Sequence, residues 1–345
     1  MPTILPPSKV LVTGANGYVA MWVVRRLLER GYAVRGSVRS QEKGAYLQDY
    51  FKTYGNKFEI VIVEDITKEG AFDEAVKDID AIEHVASPME SASGDPDEYV
   101  KPAVRGTLAL TKSVLHDRSS VKRIVYTSST GAITRPTDMP ITLNEDDWND
   151  AAVKEYEEKG KGTSRMAAYF TSKVLAERTA IDFVNKHKEE LNCDLVTLNP
   201  PMVSAPPLNA LTSPESLHGS VKWWYNFILA EGEKSEDALA GVNSWIDVRD
   251  LADAHVTSLE KEEAGGERII TSAGRVTWQE WIDSINSLNG LPPLSRPLPR
   301  GIPGVKGKFI YNFNLSKQKR ILQLNFRSKE ATARDLLELF SKQGW

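Results

Sequence analysis

From Lys9 to Pro200 the chain alternates short runs of β-branched and other apolar residues with helix-length segments, and few folds accept that rhythm. The runs KVLVTG (9–14), YAVRGSV (32–38), FEIVIVED (58–65), DAIEHVAS (80–87), VKRIVYTSS (121–129) and CDLVTLNP (193–200) read as strands. Helix-like patterns lie between them at Tyr18 to Arg30, Glu42 to Tyr54, Gly70 to Lys77, Pro96 to His116 and Arg165 to His187. Short strands separated by helices specify βαβ units and hence a parallel sheet. The strands are apolar at nearly every position, as a sheet covered by helices on both faces requires. The predicted fold class is therefore α/β, with a doubly wound parallel sheet.

Beyond Asn199 the rhythm breaks. NPPMVSAPPLNALTSPES is rich in proline and serine. A helical pattern follows around Val221 to Glu231, with Trp223, Trp224, Tyr225 and Phe227 close together; these rings are read as small-lobe core, pocket wall, or some of each. SWIDVRDLADAHVTSLE (244–260) reads as one more strand and helix. The Pro/Gly-rich LNGLPPLSRPLPRGIPG then precedes a final amphipathic helix near Lys329 to Ser341. A chain of 345 residues is long for one hydrophobic core. The predicted division is a main domain over 1–200, rejoined by 244–260, and a smaller, mostly helical and loop-rich lobe from 201–243 and 261–345.

Composition mainly excludes. A formal net charge of −4 lacks the basic footprint of a nucleic-acid binder. A single cysteine, Cys193, rules out an internal disulfide and a cysteine-based metal cluster; its apolar surroundings predict a buried structural thiol. His84, His116, His187, His218 and His255 are dispersed, without the spacing of a metal site. His255 is read as a packing residue and His218 as a candidate substrate contact. With no leader-like opening and no long apolar run, the expectation is a cytoplasmic protein without membrane or nucleic-acid partners.

VLVTGANGYVAMWVVRRLLERG carries Gly14 and Gly17, with Ala20 where a third glycine often sits. The turn follows the first strand and opens a helix. Glycines there allow the tight bend and close backbone approach, and the free N–H groups of the helix start hold a pyrophosphate. This predicts a Rossmann-type dinucleotide domain, with Asn16, Tyr18 and Val19 in the same turn as further cofactor contacts. An NAD site places Asp or Glu about 20 residues past the glycines. Arg30 to Gln41 contains no carboxylate; GSVRSQEKG instead supplies Arg39, with Lys43 one helical turn on. Two cations suit a 2′-phosphate, so the predicted cofactor is NADP(H).

VKRIVYTSST brings Ser128 and Ser129 to the end of a strand, where open α/β sheets place their ligands. About 40 residues later AAYFTSKVLAER places Tyr169 and Lys173 on one helix face, with Ala176 and Ala180 small enough for close packing. A Tyr-x-x-x-Lys pair alone means little in a chain with 11 tyrosines. Joined to a strand-end serine and an upstream glycine turn, it marks a catalytic site.

TGANGYVA, YTSS and YFTSK, in this order and at these intervals, resemble the extended short-chain dehydrogenases/reductases, and WIDVRDLADAH resembles the segment those proteins place after their substrate loops. The likeness runs nearly the whole chain. GSVRSQEKG is most similar to the dihydroflavonol-reductase-like branch, and there to fungal aldehyde and ketone (methylglyoxal-type) reductases. The resemblance implies an NADPH-dependent carbonyl reductase acting on small aldehydes and ketones. It makes Tyr169 the general acid, Lys173 the residue that holds the nicotinamide ribose and tunes Tyr169, and Ser129, the last of its serine run, the partner of the carbonyl oxygen. It also implies cofactor contacts at Asp65, Ile66, Ala86, Ser87, Pro200 and Val203, and a monomer or homodimer. Poising a tyrosine near neutrality takes about 3 pK units, or about 4 kcal/mol, expected from the nearby ammonium and the positive nicotinamide.

The sequence departs from these relatives in two places. Thr134 stands about where dihydroflavonol reductases carry an asparagine that reads the flavonoid, which argues against that substrate. Ala205 replaces a usual glycine, so a different loop path is expected there. Ser213 or Ser216 is a further candidate for the cofactor. Pocket walls are expected from Met89 to Gly94, Thr130 to Pro136 and Val203 to Glu231. The competing readings on this fold are a sugar-nucleotide epimerase or dehydratase, a hydroxysteroid dehydrogenase, and a non-catalytic NADP-binding redox sensor. Sensors of that kind typically lack the tyrosine kept here.

Overall fold

The computed structural model describes residues 3–87, 93–116, 120–217, 219–229, 232–307 and 309–345. His218 and most of the expected pocket loop from Met89 to Gly94 lie outside them. In chain order the first half comprises β1 (Lys9–Val12), α1 (Tyr18–Glu29), β2 (Ala33–Val38), α2 (Gln41–Tyr50), β3 (Phe58–Ile62), β4 (Ala81–His84), α3 (Asp97–His116), β5 (Arg123–Thr127), β6 (Ile141–Leu143), α4 (Asp150–Lys159) and α5 (Arg165–Lys186). The second half comprises β7 (Asp194–Asn199), β8 (Met202–Ser204), α6 (Gly219–Ile228), α7 (Glu236–Leu239), β9 (Val242–Asp247), α8 (Val248–Glu260), β10 (Arg268–Ile270), β11 (Gly274–Thr277), α9 (Trp278–Ser287), β12 (Tyr311–Phe313), α10 (Ser316–Ile321) and α11 (Lys329–Lys342).

Seven strands form the central sheet in the order β10-β7-β5-β4-β1-β2-β3, every neighbouring pair parallel. Chain order reverses between β1 and β4, which opens a crevice at their carboxyl ends. Met21, Val24 and Leu27 of α1 join Leu251 and Val256 of α8 in a core on the sheet. Leu110 and Val114 of α3 join Ala176, Ala180 and Val184 of α5 in a second core. The doubly wound α/β fold expected from the apolar strands is thus realised. A third core, around Trp224, Trp245, Trp281, Leu336 and Phe340, belongs to the C-terminal part of the chain.

Several local expectations are corrected. Gly70 to Lys77 forms consecutive turns instead of a helix. Gly70 has φ +72°, and Arg35 Nη1 takes the carbonyls of Ala75 and Lys77 at 3.0 and 2.6 Å, so those oxygens are held by a side chain. Residues 268–270, assigned to the lobe, form the outer strand of the main sheet. β9 lies in a three-stranded sheet with β8 and β11, while α8 packs on α1 as expected of a returning element. Trp224 and Tyr225 are buried core, Phe227 stacks on Trp278 at 4.2 Å, and Trp223 is 57% exposed. Cys193 is only partly buried, and burial pushes its thiol up to about 12. Among the described residues no helix is long and apolar enough to cross a membrane.

Candidate active site

The strand ends assemble the site. Gly14 follows β1 with φ +64°, and a Cβ there would lie 3.1 Å from Cα and Cβ of Ala86 beyond β4. Glycine is therefore required twice over, by the left-handed backbone and by the close approach. Thr13 Oγ1 accepts the N–H groups of Val85 and Ala86 at 3.1 and 3.0 Å, which sews the two strand ends together. Gly17 begins α1 with no side-chain cap and no acidic residue in the first turn. Its uncapped N–H groups and partial positive charge suit an anion.

Ser40 caps α2, accepting from the Lys43 N–H at 3.4 Å, and so fixes the turn that carries the two predicted cations. Arg39 and Lys43 are both exposed and form no ion pair among the described residues. Arg35, two positions from Ser37 on β2, is by contrast committed to Glu59 at 2.5 Å. Asp65 spends one carboxylate oxygen on the N–H and hydroxyl of Thr67, at 2.9 and 2.7 Å, and those bonds hold its pKa down. Ile66 next to it packs against Gly106 of α3.

Ser128 and Ser129 part company just beyond β5. Ser128 Oγ donates to Glu177 at 2.6 Å and is fully engaged beneath the site. Ser129 accepts the Gly131 N–H at 3.0 Å, and its hydroxyl acts on Tyr169 to lower the phenol's pKa. Burial outweighs that effect, so the Tyr169 phenol sits above its ordinary value of 10. The lowering expected from the positive nicotinamide would act on this raised phenol only with the cofactor bound. Lys173 Nζ lies 5.6 Å from the Tyr169 ring centroid, over the ring. It donates to Ser87 Oγ at 2.9 Å, which links α5 to the loop beyond β4. Burial draws the Lys173 ammonium down to about 8, with Glu177 opposing the fall.

Ser164 sets where α5 starts by accepting the Ala167 N–H at 3.3 Å, and this fixes which face presents Tyr169 and Lys173. Gly131 lets Phe170 close over the serine turn, since a Cβ there would fall 2.5 Å from the ring. Pro200 accepts the Thr130 N–H at 2.9 Å and so joins the β5 and β7 ends. Val203, at 9% exposure, accepts from Ser220 Oγ. Thr134 donates its N–H to Thr130 at 2.8 Å and is half-buried. Ser213 and Ser216 bond to each other in a local turn, Ser216 Oγ donating to the Ser213 carbonyl at 2.6 Å.

Residues 205–209 strap this site to α1 and α2. Tyr18 Oη donates to the Ala205 carbonyl at 2.7 Å and Trp22 Nε1 to that of Pro206 at 2.9 Å. Asn209 Nδ2 reaches the Asn16 carbonyl at 2.7 Å, and Tyr46 Oη the Leu208 carbonyl at 2.8 Å. The Tyr18 side chain is thus bonded to the strap, while its backbone remains at the α1 start, and Val19 beside it is half-buried. Strap, Glu177 and Arg268 were not visible in the sequence reading. Glu177 alone carried a signal, since it lies one helical turn beyond Lys173 on the Tyr169 face.

A doubly wound sheet with a glycine turn beside its switch point is the architecture of dinucleotide-binding proteins. Residues 10–274 match the NAD dependent epimerase/dehydratase family, and the chain belongs to it. It is 33% identical over 342 residues to the ketoreductase azaE of Aspergillus niger, covering 97% of this chain and 98% of that one. It is 32% identical over 340 residues to the NADPH-dependent methylglyoxal reductase GRE2 of Saccharomyces cerevisiae, covering 94% and 96%. The crystal structure of yeast methylglyoxal/isovaleraldehyde reductase Gre2 complexed with NADPH superposes with a TM-score of 0.84 at 30% identity, covering 98% of this chain and 100% of that one. The likeness to fungal methylglyoxal-type reductases, read from short motifs, therefore holds along the whole chain.

Proposed function

We propose that the protein is an NADPH-dependent carbonyl reductase of small aldehydes and ketones. The observation that carries this reading is the convergence of Ser129, Tyr169 and Lys173 at strand ends directly beside the Gly14 turn. The names of the whole-length relatives support it, as ketoreductase and as NADPH-dependent reductase. The site also fits the cofactor: Gly14 makes the tight turn into the uncapped α1 start, whose N–H groups suit a pyrophosphate, and Arg39 and Lys43 offer cations without ion pairs among the described residues for a 2′-phosphate. The family's description names NAD, but the carboxylate that would hold two ribose hydroxyls is missing from residues 30–41.

A bound reduced nicotinamide supplies the hydride. The protein's part is to place and polarise the carbonyl and to deliver a proton. Ser129 and Tyr169 hydroxyls donate to the carbonyl oxygen, stabilising the charge that grows there. Tyr169 then gives its proton to that oxygen, completing the alcohol. A phenol whose pKa stands above 10 is fully protonated at neutral pH, which suits a donor in the reducing direction. Lys173 would hold the ribose through its ammonium, and its positive charge beside the ring would stabilise the Tyr169 tyrosinate left after the proton is given.

The test follows NADPH and NADH oxidation separately with a panel of aldehydes, ketones and one dihydroflavonol. Tyr169→Phe should lower kcat by about 10²–10⁴ with an unchanged melting temperature. Arg39→Ala should raise KM for NADPH about tenfold or more and leave NADH nearly unaffected. Binding of NADPH without reduction of any carbonyl would favour the sensor reading instead.

A further inference from the structure

Beneath the proposed catalytic set lies a carboxylate with no role in the chemistry above. Glu177 follows Lys173 by one helical turn and is 0% exposed. It accepts from Ser128 Oγ at 2.6 Å, from Asn199 Nδ2 at 3.0 Å and from Arg268 Nε at 2.6 Å. The donors stand at the end of β7, just past β5 and on β10, so one side chain binds α5 to three adjacent strands. Asn199 Nδ2 also reaches the Ser129 carbonyl at 3.2 Å, so the same network holds the serine turn. Arg268 is itself held flat over Trp148, 3.7 Å from the ring centroid, and donates to the carbonyls of Glu145 and Asp147.

We propose that Glu177 is a positioning residue for the reduction: it seats α5 over the strand ends and supplies the negative charge that keeps the Lys173 ammonium ionised. The inference rests on the reductase reading of Lys173. A buried ammonium loses its charge unless an anion is near, and its hydrogen-bond partner Ser87 is neutral. Among the described residues, Glu177 is the anion that acts on the Lys173 charge. His84 on β4 is held unprotonated by burial, with a pKa of about 3. Tyr126 on β5 and Tyr169 on α5 are both pushed up by burial and stay neutral. Arg268 on β10 is cationic and opposes Lys173 unless Glu177 intervenes. A surface glutamate could not do this, because water would screen it.

The experiment compares the pH dependence of kcat/KM for carbonyl reduction, and of the NADPH Kd followed by fluorescence, in wild type, Glu177→Gln and Glu177→Asp. In the Gln variant the alkaline limb of both profiles should move to lower pH by about half a unit or more. Glu177→Asp should return the limb to its wild-type position. A uniform loss of rate with unmoved limbs would mean a purely structural role and overturn the proposal. The single Gln variant strands the Arg268 charge; should it fail to fold, Glu177→Gln/Arg268→Met is read in its place. Failure of both to fold would also overturn the proposal, since the carboxylate would then serve the fold alone. Wild type that binds NADPH but reduces nothing would sink the reductase reading, and the Kd profile would still decide the role of Glu177.

Discussion

Ala205 occupies a backbone conformation, φ +133°, in which glycine is at ease and a methyl group is not, and it is fully buried. The sequence suggested a rerouted loop at this departure from glycine. Instead the chain keeps the conformation and bears the strain, held by the bonds from Tyr18 and Trp22 to residues 205 and 206. Ala205→Gly should therefore raise the melting temperature, because relief of about 1–3 kcal/mol of strain exceeds the added chain entropy of about 0.5–1 kcal/mol. Calorimetry decides it; a fall would mean that the packing of the methyl outweighs the strain. His84 gives a pH-dependent counterpart. Burial first, and then the Lys173 charge, hold its pKa near 3, against 6.5 in an unfolded chain. Between those values the unfolded state binds more protons, so stability falls as pH drops below 6.5, by about 2 kcal/mol at pH 5. His84→Leu gives up the 2.8 Å bond to Thr13 Oγ1 but should flatten the melting temperature between pH 6.5 and 5 relative to wild type.

At the scale of elements, the junction of β9 and α8 is where the C-terminal helix is fastened. Asp247 caps α8 through the Arg249 N–H at 2.8 Å, pairs with the Arg249 side chain and accepts Thr332 Oγ1 of α11 at 2.6 Å. Arg249 spans the gap to Asp335 of the same helix at 2.5 Å. Asp247 is 0% exposed, so Arg249→Met leaves a buried charge with only neutral donors and should cost about 3–5 kcal/mol, read as a lower urea midpoint. The elements of the main sheet were legible because their strands are apolar on both faces and their helices show an apolar stripe. Most of those that escaped lack such a signal; α9 is the exception, missed although Thr277 and Glu280 form a capping box and Trp281, Ile282 and Ile285 make a buried stripe. α4, DAAVKEYEEK, buries only Ala152, and β10 is three residues long. The site divides the same way. Tyr169 and Lys173 were proposed from their helical spacing together with the motifs around them, and Ser129 from the resemblance, whereas the partners of Glu177 come from beyond β5, from β7 and from β10 and meet only in the folded sheet. Sequence also does not display the burial of Tyr169, which raises its phenol against the lowering effect of Ser129.

At the scale of the molecule, the segments around the site are tied across long stretches of chain. β12 pairs in parallel with β6, so residues 311–313 steady the loop that follows the serine turn. The strap at 205–209 reaches back to Asn16, Tyr18, Trp22 and Tyr46 and joins the two helices that flank the proposed phosphate site. Its consequence is a matter of time more than of shape. The prediction is that a dinucleotide seated between α1 and α2 would leave only when these bonds part, making departure of the spent cofactor the slow step of turnover. With NADPH deuterated at the transferred position, kcat should then show almost no isotope effect. Asn209→Ala, which cuts one tie, should raise kcat while weakening NADPH binding, and only then should the heavier isotope slow the reaction.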